Sequence, residues 1–150
     1  MPSTIRPATT ADLSLIQAIA QAAYAPYITR IGREPAPMLE DYASLIQAGH
    51  VQVLSDEEEV VGFIVLFPAQ EALLLDNLAV TPGAQGHGYG RQLLDFAEQR
   101  ALATGHSCIR LYTHETMSEN IALYARRGYA ETHRAEEEGL RRVYMSKALD

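Results

Sequence analysis

An apolar run over residues 72–80 leads into Gln85-Gly-His-Gly-Tyr-Gly90, and an amphipathic segment, Arg91-Gln-Leu-Leu-Asp-Phe-Ala-Glu-Gln-Arg-Ala-Leu102, follows at once. Strand, glycine loop and helix in that order constrain the fold more than any other stretch of the chain. Glycines at 86, 88 and 90 remove Cβ where the backbone turns sharply or another molecule comes close. The first N–H groups of the helix have no intrahelical partner and carry partial positive charge. Glycine-lined backbone running into a helix N-terminus is an anion site, above all for phosphate. From Asn77 to Leu94 there is no Asp or Glu, although the whole chain carries a net charge of −7. Arg91 stands at the end of this acid-free window.

Two common phosphate loops do not fit. A Walker A loop needs Lys and Ser/Thr after its last glycine, and the spacing Gly83 to Gly88 is followed by Tyr89 and Gly90. A dinucleotide fingerprint begins at Gly86 and Gly88, but Arg91 occupies its third glycine position. The loop also lies in mid-chain rather than after a first strand.

Leu78-Ala-Val80-Thr-Pro82-Gly-Ala-Gln85-Gly-His-Gly88-Tyr-Gly90 resembles the acyl-CoA pyrophosphate loop of the GNAT superfamily of N-acetyltransferases. Downstream, Asn120-Ile-Ala-Leu-Tyr124-Ala-Arg-Arg-Gly128-Tyr129 is similar to that family's helix–turn–strand block, and Ile5-Arg6-Pro7-Ala8 to its first strand. The segments stand in family order and span nearly the whole chain. The resemblance implies an α/β (α+β) domain over residues 1–150 with a mixed, mostly antiparallel sheet flanked by helices, its strands splayed at the acyl-CoA site. It implies acetyl transfer from acetyl-CoA, as cosubstrate, to a primary amine of a small molecule or peptide. The alternative reading is a module that binds or senses acyl-CoA without turnover.

The residues can be set against what that reaction needs. Several N–H donors from Gln85, Gly86, His87, Gly88, Tyr89, Gly90 and Arg91 can surround a pyrophosphate. By resemblance the pantetheine amides pair with the backbone of Leu78, Ala79 and Val80 at an opened sheet edge. A backbone N–H there can polarise the thioester carbonyl. Expelling a thiolate calls for a proton donor, and a phenol with pKa about 10 is matched to it. Tyr124 holds the family's position for that general acid, and Asn120, four residues earlier on the same helix face, contacts the cofactor by resemblance.

The attacking amine must be neutral, so a base is expected as well. Asp76, on the strand entering the loop, is the first candidate, although Leu74 can occupy the family's spot instead. His114, Glu115 and Glu34 are rivals. The acceptor is chosen in the family by the first helices and their connection, here residues 24–42. Within it, Arg30 and Arg33 can hold an acceptor carboxylate or stand as surface charges. A dimer is common in the family, so the resemblance admits a homodimer.

Composition narrows the rest. An acidic chain lacks the basic patch a nucleic-acid binder needs. No apolar run reaches membrane-span length, and Met1-Pro-Ser-Thr4 lacks a signal-peptide pattern, so the cytoplasm is the expected location. One cysteine, Cys108, excludes an internal disulfide, and the five histidines show no ligand spacing for a metal. The runs Asp56-Glu-Glu-Glu59 and Glu136-Glu-Glu138 read as solvated turns.

Periodicity and punctuation predict a strand over residues 5–8, a helix from 9 or 10 to 24 ended by Pro26, and an irregular stretch over 27–37. A helix over 38–48 and strands over 50–54, 60–67 and 72–80 follow. After the loop helix come a strand over 109–113, a helix capped by Ser118 and reaching Arg127, and a final hairpin over 129–134 and 140–147.

Overall fold

The computed structural model describes residues 3–149; residues 1, 2 and 150, the ends of the single domain expected over 1–150, lie outside the described part. The strands are β1 (Thr4–Pro7), β2 (Val51–Asp56), β3 (Glu59–Pro68), β4 (Leu73–Val80), β5 (Cys108–His114), β6 (Ala130–Glu137) and β7 (Leu140–Ala148). The helices are α1 (Leu13–Tyr24), α2 (Tyr27–Ile31), α3 (Tyr42–Gln47), α4 (Tyr89–Ala103) and α5 (Ser118–Arg126). All strands join one sheet in the order β1-β2-β3-β4-β5-β7-β6. β4 and β5 are parallel and every other pairing is antiparallel, as the sequence reading expects.

Helices cover both faces of the sheet, which is why β3 reads as an unbroken apolar run. Phe63 and Val65 pack with Ile16, Ile19 and Tyr24 of α1 and Tyr42 and Ile46 of α3. Ile64 and Leu66 point the other way, into a cluster with Leu93, Leu94, Ala97 and Ala101 of α4. Gly62 is required between them: a Cβ there would stand 2.8 Å from the Ala79 carbonyl oxygen of the adjacent strand. The Asp12 carboxylate accepts from the Thr9 N–H at 2.8 Å and from both Arg6 guanidinium nitrogens at 2.8 and 3.0 Å, tying β1 to the start of α1.

Four local expectations are corrected. Residues 27–37 are not wholly irregular, because Pro26 starts α2 rather than only ending α1; its fixed φ suits a helix start. Gly32, at φ 90°, then closes α2. The helix expected from Met38 begins at Tyr42, since Ala36–Met38 forms a separate 3-10 turn and Asp41 caps α3 by accepting from Ser44 N–H at 3.2 Å. Ser118 is the first residue of α5 rather than its cap, and Met117 takes the capping position. The acidic run at 136–138 is mostly strand: only Glu138 and Gly139 make the turn between β6 and β7. No helix among the described residues is long and apolar enough to cross a membrane.

Candidate active site

β4 and β5 pair only from Leu73 to Leu75, against Ile109 to Leu111. On its other edge, β4 passes from the Leu75–Leu66 pair to the Asn77–Val65 pair, so Asp76 opposes no residue of β3. Such a bulge bends a strand, and the pairing with β5 stops at that point. Thr81 N–H bonds to the Val61 carbonyl on the β3 side at 2.8 Å. Strand alternation therefore turns the N–H and C=O groups of Leu78 and Val80 toward the gap. Side chains satisfy both carbonyls: Tyr24 Oη donates to Leu78 O at 2.9 Å, and Gln85 Nε2 to Val80 O at 3.2 Å. The N–H groups of Leu78 and Val80 have no strand partner on β5.

A buried polar chain fixes this end of β4. Tyr24 Oη also donates to Asn77 Oδ1 at 2.7 Å, Asn77 Nδ2 donates to Tyr42 Oη at 2.6 Å, and Tyr42 Oη donates to Pro37 O at 2.5 Å. Across the gap, α5 brings Asn120 and Tyr124 to the same cavity as Tyr24, Asn77 and Leu78, as their four-residue spacing implies. Tyr124 is buried, and its hydroxyl has no hydrogen-bond partner among the described residues. Burial pushes its pKa well above that of a free phenol. The acidity match drawn from the sequence is thereby corrected: Tyr124 stays protonated at every working pH and is a weaker acid than expected.

Among the described residues, none of the N–H groups from Gly86 to Arg91 has a backbone acceptor; the first bond of the turn is Gln92 N–H to Gly88 O at 3.1 Å. Gly86 and Gly88 adopt φ 89° and 82°, which other residues resist, and a Cβ at either would meet nothing within 4 Å. Gly90 is different. It lies inside α4, and its Cβ would stand 3.7 Å from Leu123 Cδ2, an ordinary contact. The sharp backbone turn read from three alternate glycines thus falls at Gly86 and Gly88 and not at Gly90. His87 is exposed, its Nδ1 2.9 Å from Ala84 O and its ring stacked on Tyr89. The acid-free window in sequence is not acid-free in space, because the Tyr89 hydroxyl donates to Asp56 from β2. Arg91 is exposed on the first turn of α4. Open space before unpaired N–H groups fits a pyrophosphate, and the open edge of β4 fits an amide-bearing arm.

Candidate bases separate clearly. Asp76 lines the cavity, and Leu74 does not. His114 lines it too, but its Nδ1 accepts the Thr116 N–H at 3.1 Å. The ring proton is thus on Nε2, and burial lowers the ring's pKa, so His114 offers the cavity a donor rather than a lone pair. Glu115 pairs with Arg141 at 3.3 Å outside the cavity, and Glu34 is exposed and outside it as well. Arg30 is committed elsewhere: its guanidinium bonds both Glu119 oxygens at 2.7 and 2.9 Å and the Thr116 carbonyl at 3.0 Å. Arg33 donates to the Glu138 carbonyl. Neither Arg lines the cavity; Arg142 does, lying 4.3 Å over the Tyr112 ring and 3.1 Å from Glu137.

Sequence reasoning missed Glu40, which lines the cavity together with Asp76. It also missed Tyr24, Tyr42 and Asn77. A buried Asn inside an apolar strand was the one available signal, since a buried amide demands partners.

Residues 16–129, which include the opened edge of β4, match the Acetyltransferase (GNAT) family. The chain belongs to that family. Mycothiol acetyltransferase of Jonesia denitrificans is 35% identical over 86 residues, 56% of this chain and 27% of that protein. The uncharacterized N-acetyltransferase YhfO of Bacillus subtilis is 29% identical over 99 residues, 62% of this chain and 63% of YhfO. The chain thus spans less than two thirds of the length of either relative. The PaiA N-acetyltransferase of Thermoplasma acidophilum, solved in complex with coenzyme A, shares the fold at a TM-score of 0.81 with 20% identity, over 99% of each chain.

Proposed function

We propose that this protein is an N-acetyltransferase that moves an acetyl group from acetyl-CoA to a primary amine of a small molecule or peptide. The observation that carries the reading is the gap between β4 and β5, with unpaired N–H groups of Leu78 and Val80 on one side and the unpartnered Tyr124 hydroxyl on the other. Acetyl-CoA supplies the activated acyl group. The N–H groups from Gly86 to Arg91 hold its pyrophosphate, and the edge of β4 holds its amide arm. The Leu78 N–H polarises the thioester carbonyl, Asn120 orients the arm, and Tyr124 gives its proton to the departing sulfur. Asp76, at the bulge, faces the incoming amine.

The phenol lining the cavity across from β4 favours turnover over a binding module, because binding alone has no use for a proton donor placed beside the expected thioester. A screen of amines for free-thiol release from acetyl-CoA tests the reading. Amine-dependent release supports it, and binding of acetyl-CoA without release for any amine would assign the chain to acyl-CoA binding.

A further inference from the structure

Asp76 and Glu40 meet in the cavity from different parts of the chain, Asp76 on the bulge of β4 and Glu40 in the segment before α3. Asp76 is placed by the bulge, whereas Glu40 is brought in by the Ala36–Met38 turn and the Asp41 cap of α3. Both side chains are half-buried, so their carboxyl groups lose part of their hydration while remaining open to the cavity.

We propose that Glu40 and Asp76 form one proton-sharing carboxyl pair that takes the proton of an acceptor amine arriving as its ammonium ion, with Glu40 the positioning partner that makes the pair basic. The inference rests on the acetyl-transfer reading above.

Two carboxyl groups brought into one half-buried cavity cannot both ionise easily, so the last proton is held more tightly than by a lone carboxylate. The Glu40 carboxyl is pushed up to about 7, first by burial, then by its hydrogen bond to Asp76 and by the charges of Asp76 and Asp41. Other groups facing the pair do not offset this. From β5 come Tyr112, whose phenol is pushed up by burial, and His114, kept neutral. Tyr42 of α3 is likewise a neutral phenol. Arg142 of β7 is the one Lys or Arg lining the cavity among the described residues, and Glu137 already engages its charge. The cavity is therefore receptive to a cation. An alkylammonium loses its proton to a base titrating near 7 roughly several hundred times more readily than to an ordinary carboxylate near 4.3.

The step balances. The doubly ionised pair takes one proton from R–NH3+, leaving R–NH2 and a singly protonated pair. The nitrogen forms the N–C bond as the C–S bond breaks, and the sulfur leaves with the bonding electrons. Tyr124 gives its proton to the sulfur and regains one from the nitrogen, and the pair returns its proton to solvent.

The test is the pH profile of kcat/KM for an amine found by the thiol-release screen, in wild type, Glu40→Gln and Glu40→Asp. Wild type is expected to show an acidic limb near pH 7. Glu40→Gln, which keeps a hydrogen-bond donor beside Asp76, is expected to move that limb down by about two pH units and to lower kcat/KM at pH 8 about 10–100-fold. Glu40→Asp is expected to recover part of both. A Glu40→Gln limb still near pH 7 with unchanged kcat/KM overturns the proposal. If no amine gives thiol release with wild type, the acetyl-transfer reading fails separately, and carboxyl 13C NMR still decides the pair. A carboxyl titrating near 7 that vanishes in Glu40→Gln supports it; only ordinary carboxyls in wild type overturn it.

Discussion

Tyr24 donates its hydroxyl to two groups of β4 at once, Asn77 Oδ1 at 2.7 Å and the Leu78 carbonyl at 2.9 Å. Helix α1 thereby grips the strand where its pairing with β5 has ended. Tyr24→Phe keeps the ring and leaves a buried amide oxygen without its donor. The expected loss is about 1–3 kcal/mol. Urea unfolding of the two proteins measures it, and equal midpoints would show that Tyr24 only packs.

Gly88→Val is expected to weaken coenzyme A binding at least tenfold. The reason is the left-handed backbone at φ 82°, together with the open space that a bound phosphate would fill. His87→Ala is expected to change affinity less than twofold, because only its N–H would face the anion while its ring rests on Ala84 O and Tyr89. Calorimetric titration with coenzyme A separates them, and an unchanged affinity in folded Gly88→Val would remove the loop from the binding site.

Glu40 makes folding sensitive to pH in a defined direction. Its folded-state pKa, about 7, lies above the unfolded value near 4.3. Between these values the native state holds a proton that the unfolded chain has released, so stability falls as pH rises through the window. Glu40→Gln removes the cost and is expected to gain roughly 1–2 kcal/mol at pH 8, after discounting for the solvent screening of a half-exposed carboxyl. No difference is expected near pH 4. Thermal unfolding across pH 4–8 checks both ends, and a Glu40→Gln protein less stable than wild type at pH 8 would contradict the assignment.

Arg33→Ala is expected to leave the acceptor KM within about twofold for both an amino acid and its amide, since Arg33 lies outside the cavity and loses one exposed bond to the Glu138 carbonyl. Steady-state kinetics with the two substrates decides it. A large loss confined to the amino acid would return Arg33 to the acceptor site.

Much of the succession of strands along the chain was legible because alternation and turn chemistry are local. The glycine loop and the Asn120–Tyr124 spacing were legible for the same reason. What was not legible depends on contacts between distant segments. Nothing in the local sequence joins Glu40 to Asp76, Tyr24 to Asn77, or Asp56 to Tyr89, because each contact exists only once the sheet and its flanking helices have assembled. The two readings left open for Arg30 and Arg33 could not be separated in the sequence for a related reason. Their partners, Glu119 and the Glu138 carbonyl, both lie far along the chain. The start of α3 was misplaced because the Asp41 cap and the preceding 3-10 turn compete with a helical pattern that continues through them.

The central claim is amine acetylation in the β4–β5 gap with Tyr124 as proton donor. Thiol release from acetyl-CoA, measured with the best amine of a screen in wild type and Tyr124→Phe alongside their coenzyme A affinities, tests it most directly. Amine-dependent release is expected in wild type, with kcat lowered about 10²–10⁴-fold in Tyr124→Phe and the affinity unchanged. A folded Tyr124→Phe protein with wild-type kcat in a single-turnover measurement, where product release plays no part, would contradict the account.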